Sequence, residues 1–548
     1  MKTPLIYLQQ QTKADWLIGH SSQKVLSLAE HLIQELLTYP QPDPEEPFQI
    51  LLAHRDPVQF LAHFIAACTV PSHLFLCNPD WAAAEWQQVL ELVQPDLIWQ
   101  DGTIEIQNSK FKIQNSDQPF VIHHSSLVED KGQRTKDERK SKIQNLTSQI
   151  AIPTGGSSGK IRFVIHTWDT LMASVRGFQQ YFEVEQVNCC CVLPLYHVSG
   201  LMQIMRSLTS GGQLVILPFK TFASGHFPNF DPQTFFLSLV PTQLHRLLQD
   251  RRFTETPLPS PHSLHPPITS PPHHSPLLPP SPIPHPPFPF LSHFKAILLG
   301  GAPTWPELLN QARELRLPLA PTYGMTETAS QIATLKPADF LQGKTGVGQV
   351  LPHAQIQICN DQGDRLPANQ PGLIHIHSPS LALSYYLPPP APHSPLPTPF
   401  QPDDIGYLDA DGYLHLLGRN SDKIITGGEN VFPAEVEAAI QATGLVSDVC
   451  VMGVSDRLWG QAITAFYSPI EPDLSIASLK AALQTRLSKF KHPKHWIAMA
   501  SLPRNAQGKI NQAHLRAWVA DHCPALADHH CTETTSARSA EIDSCDYP

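Results

Sequence analysis

The sequence predicts an α/β protein with a large N-terminal body of sheet-containing subdomains and a small α+β domain after it. Three observations carry that expectation. Apolar runs alternate with amphipathic stretches from Gln49 to Trp99, and the alternation resumes between Val192 and Leu299, as in parallel strands joined by helices. A segment rich in glycine and hydroxyl residues, Pro153 to Lys160, directly follows the apolar lead-in Gln149–Ile152, so it reads as a loop leaving a strand. Beyond Gly418 the pattern becomes a compact mixture of helix and strand.

In chain order, Ile50 to Ala53 reads as a strand, Pro57 to Cys68 as a helix and His73 to Cys77 as a second strand. Trp81 to Val93 is a helix leading to Asp96–Trp99. Residues 106 to 146 break the pattern: Ile106-Gln107-Asn108-Ser109 recurs as Ile113-Gln114-Asn115-Ser116 and is echoed at Ile143-Gln144-Asn145. This polar, repetitive stretch reads as an inserted linker. Strands are expected again at Val192–Leu195, Gln213–Leu217 and Ala296–Leu299. Between them, Pro257 to Pro289 holds fifteen prolines in thirty-three residues; that density removes donors and forbids helix and sheet. A tolerated extended insertion is the expectation, with a proline-recognising partner as the alternative. A smaller proline-rich segment is Pro388 to Pro402. The small domain is expected over 419–520, with its boundary near Arg419 to Asp422. It would carry helices at Ala434–Ala442 and Ile476–Leu487 and strands at Val446–Val454 and Gln461–Tyr467. Residues 521–548 read as a frayed tail.

Bulk properties exclude several classes. A net charge of −10 over 548 residues, with no basic stripe interleaved with aromatics, argues against nucleic acid. No cationic flank and apolar core marks a signal peptide, and no run reaches the roughly 18 apolar residues of a membrane span. Ten cysteines, three of them consecutive at Cys189–Cys191, make a poor disulfide framework, so a reducing cytoplasm is expected. His529, His530 and Cys531 lie near Cys523 and Cys545, but without a C-x-x-C pair they make a weak metal site.

The glycine loop is read as a phosphate grip, with an ordinary Gly/Ser turn as the alternative. It does not fit G-x-x-x-x-G-K-[ST], which would need glycine at Thr154 and a hydroxyl at Ile161. Four further segments follow in order: Tyr323-Gly324-Met325-Thr326-Glu327-Thr328, then Asp403-Asp404-Ile405-Gly406-Tyr407, then Gly418-Arg419-Asn420-Ser421-Asp422-Lys423 with Gly427-Gly428-Glu429-Asn430, and finally Pro503-Arg504-Asn505-Ala506-Gln507-Gly508-Lys509-Ile510. As an ordered set, spanning about Ile150 to Leu515, they resemble the acyl-adenylate-forming superfamily of acyl-CoA synthetases, luciferases and peptide-synthetase adenylation domains. Leu193-Pro194-Leu195-Tyr196-His197-Val198-Ser199-Gly200 with Arg206, and Val240-Pro241-Thr242-Gln243, are similar to the o-succinylbenzoate–CoA ligase branch, which serves menaquinone or phylloquinone synthesis.

That resemblance implies ATP, Mg²⁺ and coenzyme A as reaction partners of a small carboxylic acid, and a C-terminal lid that rotates between two half-reactions. Thr154, Gly155, Gly156, Ser157, Ser158, Gly159 and Lys160 would cradle the phosphates with Arg162. Superfamily loops usually carry proline and lysine where Ile161 and Arg162 stand, so this loop departs there. Glu327 would be the Mg²⁺ ligand, since a hard cation favours carboxylate oxygen. Gly301, Ala302 and Pro303 would lie along adenine, near Tyr323, Gly324 and Thr326. Asp404 and Arg419 would meet the ribose, with Asp403 competing for the carboxylate role and a salt bridge as the alternative for Arg419. Lys509 would stabilise the adenylation transition state. Ser421 and Asp422 would form the hinge, and Gly427, Gly428, Glu429 and Asn430 would shape the coenzyme A tunnel. In the acyl pocket, His197 and Ser199 would line the walls, and Arg206 would recognise the second, aryl carboxylate; a packed histidine and a helix-surface arginine are the alternatives. The competing functions are a ligase for another aryl or fatty acid and a non-catalytic scaffold.

Overall fold

A computed structural model of the chain describes residues 3–12, 16–39, 47–101, 120–121, 148–155, 161–250, 290–387, 395–426, 429–456, 459–504 and 510–522. It divides into two units, Met1–Ser421 and Asp422–Pro548.

The first unit holds two large sheets. One has the order Ser384–Tyr385, Ile161–Thr167, Gln149–Gly155, Ser72–Leu76, Phe48–Ala53, Leu97–Gln100, Phe120–Val121. Its four strands from Gln149–Gly155 to Leu97–Gln100 are parallel. The other has the order Leu17–Ile18, Leu214–Ile216, Asn188–Cys191, Phe235–Leu239, Ala296–Leu299, Leu319–Met325, Ser330–Thr334, Gln349–Val350. Its first six strands are parallel, and the last two turn antiparallel.

Strand side chains alternate between faces, and here both faces are covered. Ile50 and Leu52 enter one core and Leu51 and Ala53 another. The central core joins both sheets through the helices Ser22–Thr38, Pro57–Thr69, Trp168–Phe182 and Val198–Ser210. The helix Ala83–Val93 covers the outer face of the first sheet, and Phe219–Ala223, Pro241–Leu248 and Pro306–Glu314 cover that of the second. Burial on two sides explains why these strands read as unbroken apolar runs. The helix Pro57–Thr69 starts where its residue types dictate: Asp56 accepts a hydrogen bond from the Gln59 N–H at 2.9 Å, and proline takes the first position.

The same alternation accounts for the cysteine run. Cys189 and Cys191 point into the central core and Cys190 into the outer one, so the three thiols are strand core and all are unpaired. This corrects the expected strand at Val192–Leu195: the strand is Asn188–Cys191, and Pro194, which cannot donate to a ladder, lies in the turn after it. A third, antiparallel sheet of Gln355–Cys359, Gly372–His377, Asp404–Leu408 and Leu414–Arg419 completes the unit.

The second unit pairs Glu429–Val431, Ile424–Thr426, Gly460–Pro469 and Val446–Asp456, with His495–Ala498 parallel to Gly460–Pro469. Helices Pro433–Gln441 and Ile476–Leu483 pack on one face and Gln512–His522 on the other. The expected helix to Leu487 therefore ends at Leu483. Asp521 and His522 close a helix rather than opening a frayed tail. Within the expected insertion at 106–146, Phe120–Val121 adds an antiparallel edge strand beside Leu97–Ile98. The rest of that segment, the proline-rich stretch 257–289 and the tail cysteines and histidines lie outside the described residues. Among the described residues, no helix is long and apolar enough to cross a membrane.

Candidate active site

The site grows from strand ends. Ala296–Leu299 and Leu319–Met325 run parallel, so Gly301–Pro303 and Thr326–Thr328 emerge beyond the same carboxyl edge, where α/β sheets form their crevices. Gly301, Ala302 and Pro303 are exposed there, and Gly301 has φ +83°. Leu319–Met325 folds back on Ser330–Thr334 with a register irregularity between Tyr323 and Gly324. Gly324 is required by space: a Cβ there would lie 2.1 Å from the Ser330 carbonyl oxygen.

Residues 326–328 form a single 3-10 turn, fixed from below by His166. The buried His166 has its Nε2 2.8 Å from the Thr326 carbonyl oxygen and its Nδ1 2.9 Å from Thr170 Oγ1. A carbonyl only accepts, so Nε2 carries the proton and Nδ1 accepts from Thr170. Burial lowers the His166 pKa to about 4, so this neutral tautomer persists at physiological pH. The half-buried Glu327 accepts a 2.7 Å hydrogen bond from Tyr385 Oη on Oε1, and its backbone oxygen accepts from Ala382 N at 2.8 Å. Burial, and then the Glu327 charge, hold the Tyr385 hydroxyl above its ordinary pKa, while Arg162 and Arg419 act in the opposite direction. Tyr385 thus ties three of the sequence-derived candidates to one locality.

Asp404 and Arg419 face each other across the antiparallel pair Asp404–Leu408 and Leu414–Arg419, with Nε 3.6 Å from Oδ1. Tyr323 Oη donates to Asp404 Oδ2 at 2.5 Å. Burial raises the Asp404 pKa, and the Tyr323 hydrogen bond and the Arg419 charge pull it back down. Asp403 is turned elsewhere. It has φ +65°, and its backbone oxygen accepts from Asn420 N and its Oδ2 from Ser421 N, at 2.8 and 3.0 Å. Of the two competing carboxylates, one faces Tyr323 and Arg419 and the other clamps the end of the first unit.

The phosphate-loop candidates are partly in view. Thr154 pairs with Arg162 and Gly155 with Ile161 as the chain enters and leaves the loop, and Arg162 is exposed. The Ile161 N–H donates to Gln88 Oε1 at 2.6 Å, which the proline usual at this position could not do. Gly156, Ser157, Ser158, Gly159, Lys160, Gly427, Gly428, Lys509 and the Asn430 side chain lie outside the described residues. In the second unit, Asp422 is half-buried and Glu429 is exposed on a strand paired with Ile424–Thr426.

His197 and Ser199 sit at the start of the helix Val198–Ser210. His197 is its N-cap residue and packs its ring on Tyr196, with centroids 4.6 Å apart. Arg206 departs from the helix-surface alternative: it is only 2% exposed. Its guanidinium lies over the Phe178 ring at 4.3 Å, and its Nη2 makes long hydrogen bonds to Ser330 Oγ and Gln331 Oε1, at 3.3 and 3.4 Å. Its Nε has no partner among the described residues. Burial lowers its pKa to about 10, so it stays charged at neutral pH, and among the described residues no carboxylate pairs with it. Ser330 and Gln331 stand opposite Met325 and Gly324 in the hairpin. The buried cation is therefore built onto the back of the turn that presents Glu327.

His166, Tyr385, Phe178 and Gln331 escape sequence reasoning. None lies in a glycine- or charge-marked segment, and each acts on a residue more than 20 positions away. The chain matches the AMP-binding enzyme family over residues 27–386 and the AMP-binding enzyme C-terminal domain over residues 435–509. A 2-succinylbenzoate–CoA ligase of Enterococcus faecalis is 28% identical over 497 residues, covering 88% of this chain and 91% of the relative. One from Geobacillus kaustophilus is 32% identical over 384 residues, covering 66% and 68%. Among solved structures, o-succinylbenzoate CoA synthetase of Bacillus subtilis in complex with its acyl-adenylate intermediate superposes with a TM-score of 0.71 at 22% identity, covering 93% of this chain and 97% of that one. ATP-bound MatB of Rhodopseudomonas palustris superposes with a TM-score of 0.66 at 19% identity, covering 91% and 94%. The superpositions establish the shared fold, and with the family matches over both parts of the chain they lead to one conclusion: the chain belongs to the AMP-binding enzyme family.

Proposed function

We propose that this protein activates the succinyl carboxylate of 2-succinylbenzoate with ATP and passes the acyl group to coenzyme A. In the first step a carboxylate oxygen attacks the α-phosphorus and pyrophosphate leaves. In the second the coenzyme A sulfur attacks the acyl carbonyl, its proton is lost, and AMP leaves. The observation that carries the substrate assignment is Arg206, a buried guanidinium with two long neutral hydrogen bonds and no carboxylate beside it among the described residues. A buried charge so poorly compensated is costly, and the aryl carboxylate of this diacid would supply the missing anion.

Geometry supports the roles of Asp404 and Glu327, and the resemblance implies the others. Asp404, held toward Tyr323 and Arg419, is suited to accept from ribose hydroxyls. The Thr154–Lys160 loop and Arg162 would hold the phosphates, and Lys509 would meet the reacting carboxylate and α-phosphate. Ser421 and Asp422 would serve as hinge, and Gly427–Asn430 in thioester formation. Glu327 fits a hard cation. Its carboxylate is half-buried and oriented through one oxygen by Tyr385, and the other oxygen has no partner among the described residues. Magnesium held there would offset negative charge on the phosphates. Among the described residues every cysteine is free, which suits a reducing cytoplasm.

The test is ATP–pyrophosphate exchange with 2-succinylbenzoate, 4-oxo-4-phenylbutanoate (the same molecule without its ring carboxylate), benzoate and medium-chain acids. Exchange is expected with 2-succinylbenzoate. Arg206→Ala should lower kcat/KM for the diacid by about 10- to 100-fold, the worth of a charged hydrogen bond, and leave the monoacid within a few-fold. Equal losses on both would remove Arg206 from substrate recognition. No exchange with any acid would favour a non-catalytic scaffold.

A further inference from the structure

Arg206 is not the only incompletely partnered polar group in its surroundings. Both ring nitrogens of His353 are buried without a partner among the described residues, as is Gln203 Oε1. His353 lies between the strands Gln349–Val350 and Gln355–Cys359, far from any segment singled out in the sequence. Its backbone oxygen accepts a 3.0 Å hydrogen bond from Ser378 Oγ. Its ring packs directly on the helix Trp168–Phe182 at Gly177, where a Cβ would fall 1.8 Å from Nδ1. The next residue, Phe178, carries the Arg206 guanidinium. Residues i and i+1 of a helix point apart, but the Arg206 charge acts on the His353 ring, so the imidazole and the cation share one neighbourhood.

We propose that His353 is a second specificity residue of the acyl pocket, donating its ring N–H to the aryl carboxylate that Arg206 neutralises. The inference rests on the proposed function and names a recognition element that the motifs do not contain. A carboxylate has about four lone-pair sites, enough for the guanidinium and an imidazole together. Burial and the Arg206 charge hold the His353 pKa at about 4, so the ring stays neutral and brings a donor without a second buried cation. A monocarboxylic acid would leave both groups unpaired, and discrimination against a ligand that lacks the matching polar group is the strong kind.

Steady-state kinetics on the full chain test this with two substrates, 2-succinylbenzoate and 4-oxo-4-phenylbutanoate. His353→Ala should raise KM for the diacid about tenfold or more, with kcat nearly held, and leave the monoacid unchanged. His353→Gln, which keeps an N–H donor, should recover part of the loss. Gly177→Ala should reproduce the His353→Ala pattern by displacing the ring, and because alanine favours a helix interior it also serves if His353→Ala does not fold. A wild type that uses the diacid, together with variants that lose nothing or lose both substrates equally, overturns the role of His353 alone. A wild type inactive on the diacid but active on the monoacid overturns the proposed function, and this inference with it.

Discussion

Tyr323 and Asp404 show how a residue's role depends on its surroundings. Burial raises the Asp404 pKa, and the Tyr323 hydroxyl and Arg419 work against that rise. Tyr323→Phe removes one stabiliser of the carboxylate, so the pKa of Asp404 moves further up and the protonated, non-accepting form persists to higher pH. The acid limb of kcat/KM for ATP is thus expected to move to higher pH, and KM for ATP at pH 6 should rise about five- to tenfold, with a smaller change at pH 8. An unmoved acid limb would mean that Tyr323 does not sustain the Asp404 charge. Arg206 teaches the same lesson from the other side. The resemblance already implies that Arg206 meets a carboxylate; burial against Phe178, Ser330 and Gln331 supplies the physical reason, a buried cation with no carboxylate beside it among the described residues.

At the scale of elements, the hairpin of Leu319–Met325 and Ser330–Thr334 organises the site. It carries Tyr323 on one side, leads into the turn with Glu327, and seats Arg206 from behind through Ser330 and Gln331. Its closeness depends on Gly324, since a Cβ would strike backbone atoms of Ser330 and Gln331 at 2.1 to 2.5 Å. Backbone cannot swing aside as a side chain can. Gly324→Ala is accordingly expected to cost about 1–3 kcal/mol of stability, read as a shift in the urea midpoint. It should also lower ATP–pyrophosphate exchange by at least about tenfold, the price of roughly 1.4 kcal/mol of misplaced geometry. Wild-type stability and exchange in that variant would show that the hairpin has slack. The Tyr323–Thr328 motif is legible in the sequence because its residues are contiguous. Its supports are not: His166 lies 160 residues from Thr326 and Tyr385 lies 58 from Glu327. The misplaced strand at Val192–Leu195 has a related cause. Alternation into two separate cores makes the three cysteines ordinary strand residues, which only the packing of distant elements reveals.

For the whole molecule, the division between Ser421 and Asp422 separates the residues proposed to hold ATP and acid from Lys509. Lys509→Ala is expected to reduce adenylate formation by about 100-fold or more, as when a transition-state donor is removed. Thioester formation from supplied acyl-adenylate and coenzyme A should stay within a few-fold. The two half-reactions are measured separately, by pyrophosphate exchange and by thioester appearance. A folded variant that loses both equally would sink the assignment of Lys509 to adenylation.

Contiguous features were decided by the sequence alone: the α/β alternation and the ordered motifs, Tyr323–Thr328 among them, that mark the family. Each depends on local backbone preference or on residue types at short spacing, which the chain carries whatever its distant parts do. Only the tertiary structure decided which of Asp403 and Asp404 faces Arg419, and that Arg206 is buried rather than on a surface. Only it brought Tyr385 and His166 to their partners and the His353 ring against Gly177. Those outcomes turn on burial and on contacts between residues far apart in the chain, because desolvation and hydrogen bonding depend on separation in space.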